Sequence, residues 1–355
     1  MNIKNTKTKS FLSAVGILLL SNNVSADWFP LDISNKEKDG SISKVQYIPQ
    51  LKAEKRWSLC VSLPHMKDSL FLAANYGTVE EAKRQGVNLQ VMDAGGYEHL
   101  SNQISQVENC VAGGADAVII ASISQDGLKN LVADLKSKNI PVIDAFNGIA
   151  SDDVSARILT IPRDEGARAG EYLAKLYPAG GEKIRVGWFP GPAGTGFVEA
   201  FNEGFKEAIQ ESSVEIIETK YGDTGKEVQS RLIEDMLQTH KDIDYIVGTA
   251  VTAEAAIPVL RARGQSDKIK VLSVYMTPGV YQGVKRKAIA ASGMAPAVLA
   301  GRIAVDQAIR LVEGKELYSD VGIFGKVYTT KDINELVTDT VLAPNGFKPV
   351  FRVTE

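Results

Sequence analysis

The feature that most constrains this chain is an alternation of period that runs its length twice. Short apolar runs alternate with segments of about ten to fifteen residues whose apolar positions recur at helical spacing. In the first set, strands are expected at 57–63, 88–92, 117–121, 141–143 and 158–161, with helices at 71–85, 98–112 and 126–137. The second set places helices at 166–176, 198–210, 227–239 and 253–263 among strands at 184–189, 215–219, 245–247 and 269–274. A short run at 288–291 and a long amphipathic helix at 297–313, ending near Gly314, complete it. Strands this apolar, alternating with helices, are buried on both faces and belong to βαβ units around parallel sheets. Residues 27–55 show no clear period and read as an extended arm with Trp28 and Phe29 at its start, which either forms part of a partner surface or packs against its own lobe.

A chain of 355 residues exceeds what one hydrophobic core supports, so the two sets predict an α/β protein of two doubly wound parallel-sheet lobes. In such sheets, ligands sit outside the carboxyl ends of the strands. If the lobes face each other, one cavity is bordered by 64–71, 95–97, 122–125, 146–147, 190–195, 250–252 and 275–277. The candidate ligand-binding residues from these segments are Lys67, Asp68, Phe71, Tyr97, Ser122, Phe146, Pro190, Ala250 and Tyr275. Aromatic faces beside a carboxylate suit a small cationic or dipolar ligand.

A formal charge of −3 supplies no excess of cations for a nucleic-acid partner. Lys4, Lys7 and Lys9, the apolar run 11–20 and the small residues Val24-Ser25-Ala26 predict a signal peptide over 1–26, hence export to the periplasm. An apolar run of about ten residues is too short for a bilayer core, which needs roughly twenty, so no membrane insertion is expected. An oxidising compartment would permit a disulfide between Cys60 and Cys110, though two separate buried thiols fit the sequence equally.

Catalytic readings find little support. The segment Gly191-Pro192-Ala193-Gly194-Thr195-Gly196 follows a strand but lacks the Lys-Ser/Thr that would hold phosphates, and the first strand leads into Leu63-Pro64-His65-Met66 rather than a dinucleotide fingerprint. The three histidines, His65, His99 and His240, are scattered and suggest neither a triad nor a metal site. Asp152-Asp153 and Glu80-Glu81 read as solvated faces. No catalytic residues, cofactor or metal are expected, and the chain is read as a binding protein rather than an enzyme.

Residues 62–77, 87–96, 115–122 and 245–256 resemble periplasmic binding proteins of the ribose-binding type, also called type I. A narrower likeness, to the TorT-type branch, rests on Trp57-Ser58-Leu59-Cys60, Lys67-Asp68-Ser69, Asn75-Tyr76-Gly77, Asp93-Ala94-Gly95-Gly96-Tyr97, residues 106–110 and Pro190-Gly191-Pro192. It continues through Gly248-Thr249-Ala250, Ala253-Glu254-Ala255-Ala256, residues 280–286 and the tail 342–351. The resemblance implies a three-segment hinge. It places the first lobe at 53–162 plus 295–323 and the second at 163–294 plus 324–355, after a signal peptide at 1–26 and an arm at 27–52. It also implies closure on trimethylamine N-oxide (TMAO) or a related small polar molecule, and regulation of a TorS-type membrane sensor histidine kinase. Delivery of a small ligand to an ABC permease is the alternative. Three positions depart from the branch: Leu70-Phe71 stands where it has Tyr-Trp, and the Arg163 of Pro162-Arg163 where it has the Trp of Pro-Trp. With Arg163 in the pocket, a guanidinium would repel a trimethylammonium group and suit an anionic one.

Overall fold

The computed structural model describes residues 28–37, 39–159 and 162–355. The signal peptide expected over 1–26 lies outside the described residues.

The chain opens with strands β1 (Leu31–Lys36) and β2 (Ile42–Tyr47), followed by β3 (Ser58–Leu63), α1 (Ser69–Gln85), β4 (Asn88–Asp93), α2 (Leu100–Ala112), β5 (Ala117–Ile120), α3 (Lys129–Ser137), β6 (Val142–Ala145) and β7 (Ala156–Leu159). Next come α4 (Pro162–Leu176), β8 (Ile184–Gly191), α5 (Gly196–Ile209), β9 (Val214–Tyr221), α6 (Lys226–Thr239), β10 (Tyr245–Gly248), α7 (Ala250–Ala262), β11 (Lys270–Ser273), α8 (Pro278–Lys285) and β12 (Ala291–Ser292). Helix α9 (Ala297–Val312) precedes β13 (Asp320–Ile323), β14 (Tyr328–Thr329) and β15 (Arg352–Val353).

These strands form two sheets. One has nine strands in the order β15-β4-β3-β5-β6-β7-β13-β1-β2, the other six in the order β14-β12-β11-β10-β8-β9. The strands from β4 to β13 are parallel in the first, and those from β9 to β12 in the second. Burial explains the apolar runs: all four residues of β5, Ala-Val-Ile-Ile, are covered, as helices on both faces require. Helix α1 packs backbone to backbone on α9, since a side chain at Gly77 would put its first carbon 2.1 Å from the Val298 carbonyl oxygen. A disulfide joins Cys60 on β3 to Cys110 on α2, with Cα atoms 6.4 Å apart.

Two expectations about the chain ends are corrected. The arm is a β-hairpin that adds β1 antiparallel to β13, with β2 at the sheet edge. It is fastened by burial of Ile33 and Tyr47. The Tyr47 hydroxyl donates to Asp306 of α9, which also accepts from Gln85 Nε2 at 2.8 Å. Trp28 stacks on Tyr47 at 5.9 Å and donates to Glu81 at 3.2 Å, so it packs on its own lobe instead of presenting a free partner surface. The tail, expected to stay on the second lobe, returns to the first. Leu336, Val341 and Leu342 join the second core, but β15 pairs with β4. Asn75 of α1 holds the Val350 backbone through two hydrogen bonds of 2.8 Å, and Phe347 packs edge-on against Tyr76. The chain thus passes between sheets after β7, after β12 and after β13, and a fourth time through the tail.

Removing the covalent link should lower stability. Replacing Cys110 by Ser under oxidising conditions is expected to cost about 2–4 kcal/mol in urea denaturation, because the bridge closes a long loop in the unfolded chain. An unchanged midpoint would contradict that role.

Candidate functional site

Asp68 is the N-cap of α1, and its Oδ1 accepts from the Leu70 amide at 2.9 Å. That geometry fixes its other oxygen. Oδ2 accepts from the Tyr275 hydroxyl at 2.5 Å, and Tyr275 follows β11 on the second sheet, so this buried hydrogen bond joins the lobes. Two further contacts cross nearby: His65 Nε2 pairs with Thr224 Oγ1 at 3.1 Å, and the Tyr97 amide donates to Asp223 Oδ2 at 3.4 Å.

Between these contacts lies a cavity of about 40 Å³. A water needs roughly 10–15 Å³ on this measure, so the space suits a ligand of a few heavy atoms. From the first lobe, Leu70, Phe71, Tyr97, Phe146 and Asn147 line it beside Asp68. Phe146 holds a φ of 72°, a left-handed backbone that costs a bulky residue of order 1–3 kcal/mol. It sets the ring edge-on to Phe71, with centroids 6.3 Å apart. From the second lobe come Tyr275, Thr224, Glu165, Phe197 and Phe201. The last three are placed by the close approach of α4 and α5, where a side chain at Gly204 would put its first carbon 1.9 Å from the Arg163 carbonyl oxygen.

Six aromatic rings, two of them the phenols of Tyr97 and Tyr275, together with two carboxylates, one amide and the Thr224 hydroxyl, therefore line a small space, and among the described residues no Lys or Arg lines it. Burial pushes the Asp68 carboxyl up to about 6; hydrogen bonds from Leu70 and Tyr275 oppose the rise, while Glu254 and Asp223 add to it. The same desolvation raises the Tyr97 and Tyr275 hydroxyls. It lowers His65 and so favours the neutral imidazole, against the pull of Asp223 toward the charged form.

Of the residues expected from sequence, Asp68, Phe71, Tyr97, Phe146 and Tyr275 line this cavity. Lys67 does not line it and lies instead in a separate open groove with Glu98, Asp223 and Lys226. Ser122 is buried behind the wall, where its carbonyl accepts from Asn147 Nδ2 at 2.8 Å. Pro190 and Ala250 are also buried but do not reach the cavity. Arg163 overturns an expectation: it turns outward to pair with Glu203 and Glu207 of α5. Positions two apart on a helix differ by about 200°, so with Arg163 outside, Glu165 faces in. The spacing of Phe197 and Phe201 on the helix after the glycine loop was a usable signal for that face. Glu165 and Thr224 carried none.

Among the described residues, no group of three or more His, Cys, Asp or Glu could hold a metal, and no helix is long and apolar enough to cross a membrane. Residues 59–316 match the model of the periplasmic binding protein domain. The chain belongs to the periplasmic binding proteins. It is 36% identical over 309 residues to the periplasmic protein TorT of Escherichia coli K12, covering 86% of this chain and 88% of TorT. The solved complex of the TorS sensor domain with TorT in the presence of TMAO matches with a TM-score of 0.75 and 32% identity, over 83% of this chain and 99% of that one. An ABC transporter solute-binding protein from Bradyrhizobium sp. BTAi1, with bound bis-tris, matches with a TM-score of 0.79 and 50% identity over 92% and 99%.

The Asp68 environment sets a sign for pH dependence. A carboxyl raised to about 6 binds its proton more tightly in this arrangement than in the unfolded chain. Its contribution is therefore present below about pH 4 and lost as pH rises through about 6. Asp68→Asn should remove about 2–3 kcal/mol of this dependence from the ligand-free protein, as read by urea denaturation between pH 4.5 and 7.5. Parallel pH profiles for the two proteins would contradict the assignment.

Proposed function

We propose that this protein is exported, loses its leader, and works in the periplasm as a ligand-gated switch. It closes on TMAO or a related small polar molecule and regulates a membrane histidine kinase of the TorS type. The observation that carries this reading is the small aromatic, acidic cavity shut between the lobes, with Asp68 on one and Tyr275 on the other. Ligand contacts shared by both lobes exist only when the lobes meet, so binding favours closure by that differential affinity. Likeness to TorT across 86% of the chain supports the kinase as partner. The role is binding rather than turnover, as in the homologous binding proteins. The residues proposed to hold the ligand are Asp68, Phe71, Tyr97, Phe146 and Tyr275, joined by Glu165, Phe197 and Phe201 of the second lobe.

A second reading, delivery of the ligand to an ABC permease, is favoured by the 50% identity to the Bradyrhizobium solute-binding protein. Both readings need the same closure and differ in the partner. The test is to immobilise the periplasmic domain of a TorS-type kinase and titrate the mature protein with and without a methylated amine. Binding that shifts about tenfold or more with ligand, equivalent to 1.4 kcal/mol of coupling, is the expected result. No binding in either state, with stimulation of a permease ATPase by the loaded protein, would transfer the function to transport.

A further inference from the structure

We infer that Gly196 is the residue that sets how far the lobes close, because the start of α5 rests there, without a side chain, on the backbone of the first lobe. This rests on the closure reading above and adds a positioning residue to it.

The segment Gly191-Pro192-Ala193-Gly194-Thr195-Gly196 lacks a phosphate signature, and its glycines serve different ends. Gly191 and Gly194 hold φ of 122° and 80°, so the turn out of β8 requires them. Gly196 opens α5 and is not among the left-handed residues. The helix start does not call for glycine either. The Thr195 carbonyl accepts from the Val198 and Glu199 amides at 3.2 and 3.3 Å, and glycine is a poorer helix former than alanine.

What excludes a larger residue at 196 is the other lobe. A first side-chain carbon there would lie 2.7 Å from the Asn147 carbonyl oxygen, with the Gly148 carbonyl oxygen and Gln125 Cδ each at 3.5 Å. These residues follow β6 and β5 of the first sheet, whereas α5 follows β8 of the second. The loop they form is braced. Asn147 Nδ2 donates to the Tyr97 hydroxyl at 3.0 Å and to the Ser122 carbonyl at 2.8 Å, and Ser122 Oγ donates to the Gly148 carbonyl at 2.7 Å. A carbonyl held in this way cannot swing aside as the end of a side chain can. The close approaches at Gly77 and Gly204, by contrast, are each made within one lobe.

The contact also borders the ligand space. Phe197 and Phe201 line the cavity from α5, while Gly196 and Ala200 line a separate chamber of about 220 Å³ with Asp144 and Arg157. Asn147 lines both. The meeting of Gly196 with Asn147 therefore divides the two spaces and fixes the depth to which the two phenyl rings enter. Bulk at 196 holds α5 off the loop, draws both rings back and leaves a gap toward the polar chamber.

The experiment compares the mature protein with Gly196→Ala and Gly196→Val, and with Ala193→Val, which adds bulk at an exposed position of the same loop. The probes are TMAO, glycine betaine and choline, followed by calorimetric titration and stopped-flow kinetics. Gly196→Ala should bind whichever probe the wild type binds about tenfold more weakly, and Gly196→Val more weakly still. The loss should appear as faster dissociation with association unchanged, because the open lobes meet the ligand as before and only the closed form is strained. Without ligand, the urea midpoint of Gly196→Ala should be unchanged or raised, and Ala193→Val should match the wild type throughout. Unchanged affinity in Gly196→Ala, or a loss carried by slower association, would overturn the inference and leave the closure reading intact. A lowered ligand-free urea midpoint accompanying the weaker binding would make this glycine a requirement of folding and overturn the inference as well. No binding of any probe to the wild type would overturn the small-ligand reading and this inference with it.

Discussion

A single carboxylate with two partners organises the site. Asp68 cannot choose its direction freely, because capping α1 orients one oxygen toward the Leu70 amide. The other then points across the cleft to Tyr275. Removing Asp68 would therefore disturb a helix start and an inter-lobe contact together. A hydrogen bond to a charged group, in a space that excludes water, is worth more than the same bond in solvent. It also leaves the cavity negative. The aromatic walls, the neutral His65 and the outward Arg163 keep it so.

The rest of the fold holds the two halves of that contact in place. Helices α1 and α9 touch through Gly77, and α4 and α5 through Gly204, so each lobe presents its wall from a rigid helix pair. The first lobe is braced further by the disulfide beneath β3 and by the hairpin pinned to Asp306. The tail adds a tether of a different kind. It is packed in the second core around Leu336 and Leu342 and then lashed to α1 through Asn75, so it spans both lobes beside the cleft. Phe146, held in a left-handed backbone, is local strain that the surrounding structure sustains while its ring lines the cavity.

Much of this was legible in the residues. The alternation of apolar runs with helical spacing reports burial on both sheet faces, and from it followed the two lobes and the rule that strand ends border the ligand. Asp68, Tyr97 and Tyr275 were found that way. What escaped depended on facts that periodicity does not carry. In β1 and β2 too few residues are buried to show a period, with Ile33 and Tyr47 covered while Ile42 stands exposed. The return of β15 rests on its pairing with β4 and on two hydrogen bonds between the Val350 backbone and the Asn75 side chain, all far away in sequence. Arg163 and Glu165 sit two residues apart, so a rotation of the helix start by about half a turn decides which of them enters the cavity. Resemblance supplied the position; only packing against α5 supplied the direction.

The account stands on the two lobes being drawn together by what fills the space between Asp68 and Tyr275. The most direct measurement is the distance between fluorescent labels at Glu98 of the first lobe and Glu227 of the second, which line one groove between the lobes. Titrating a ligand that binds should shorten that distance, and Tyr275→Phe should weaken the shortening without abolishing folding. A distance that stays constant while the ligand saturates the protein would contradict it.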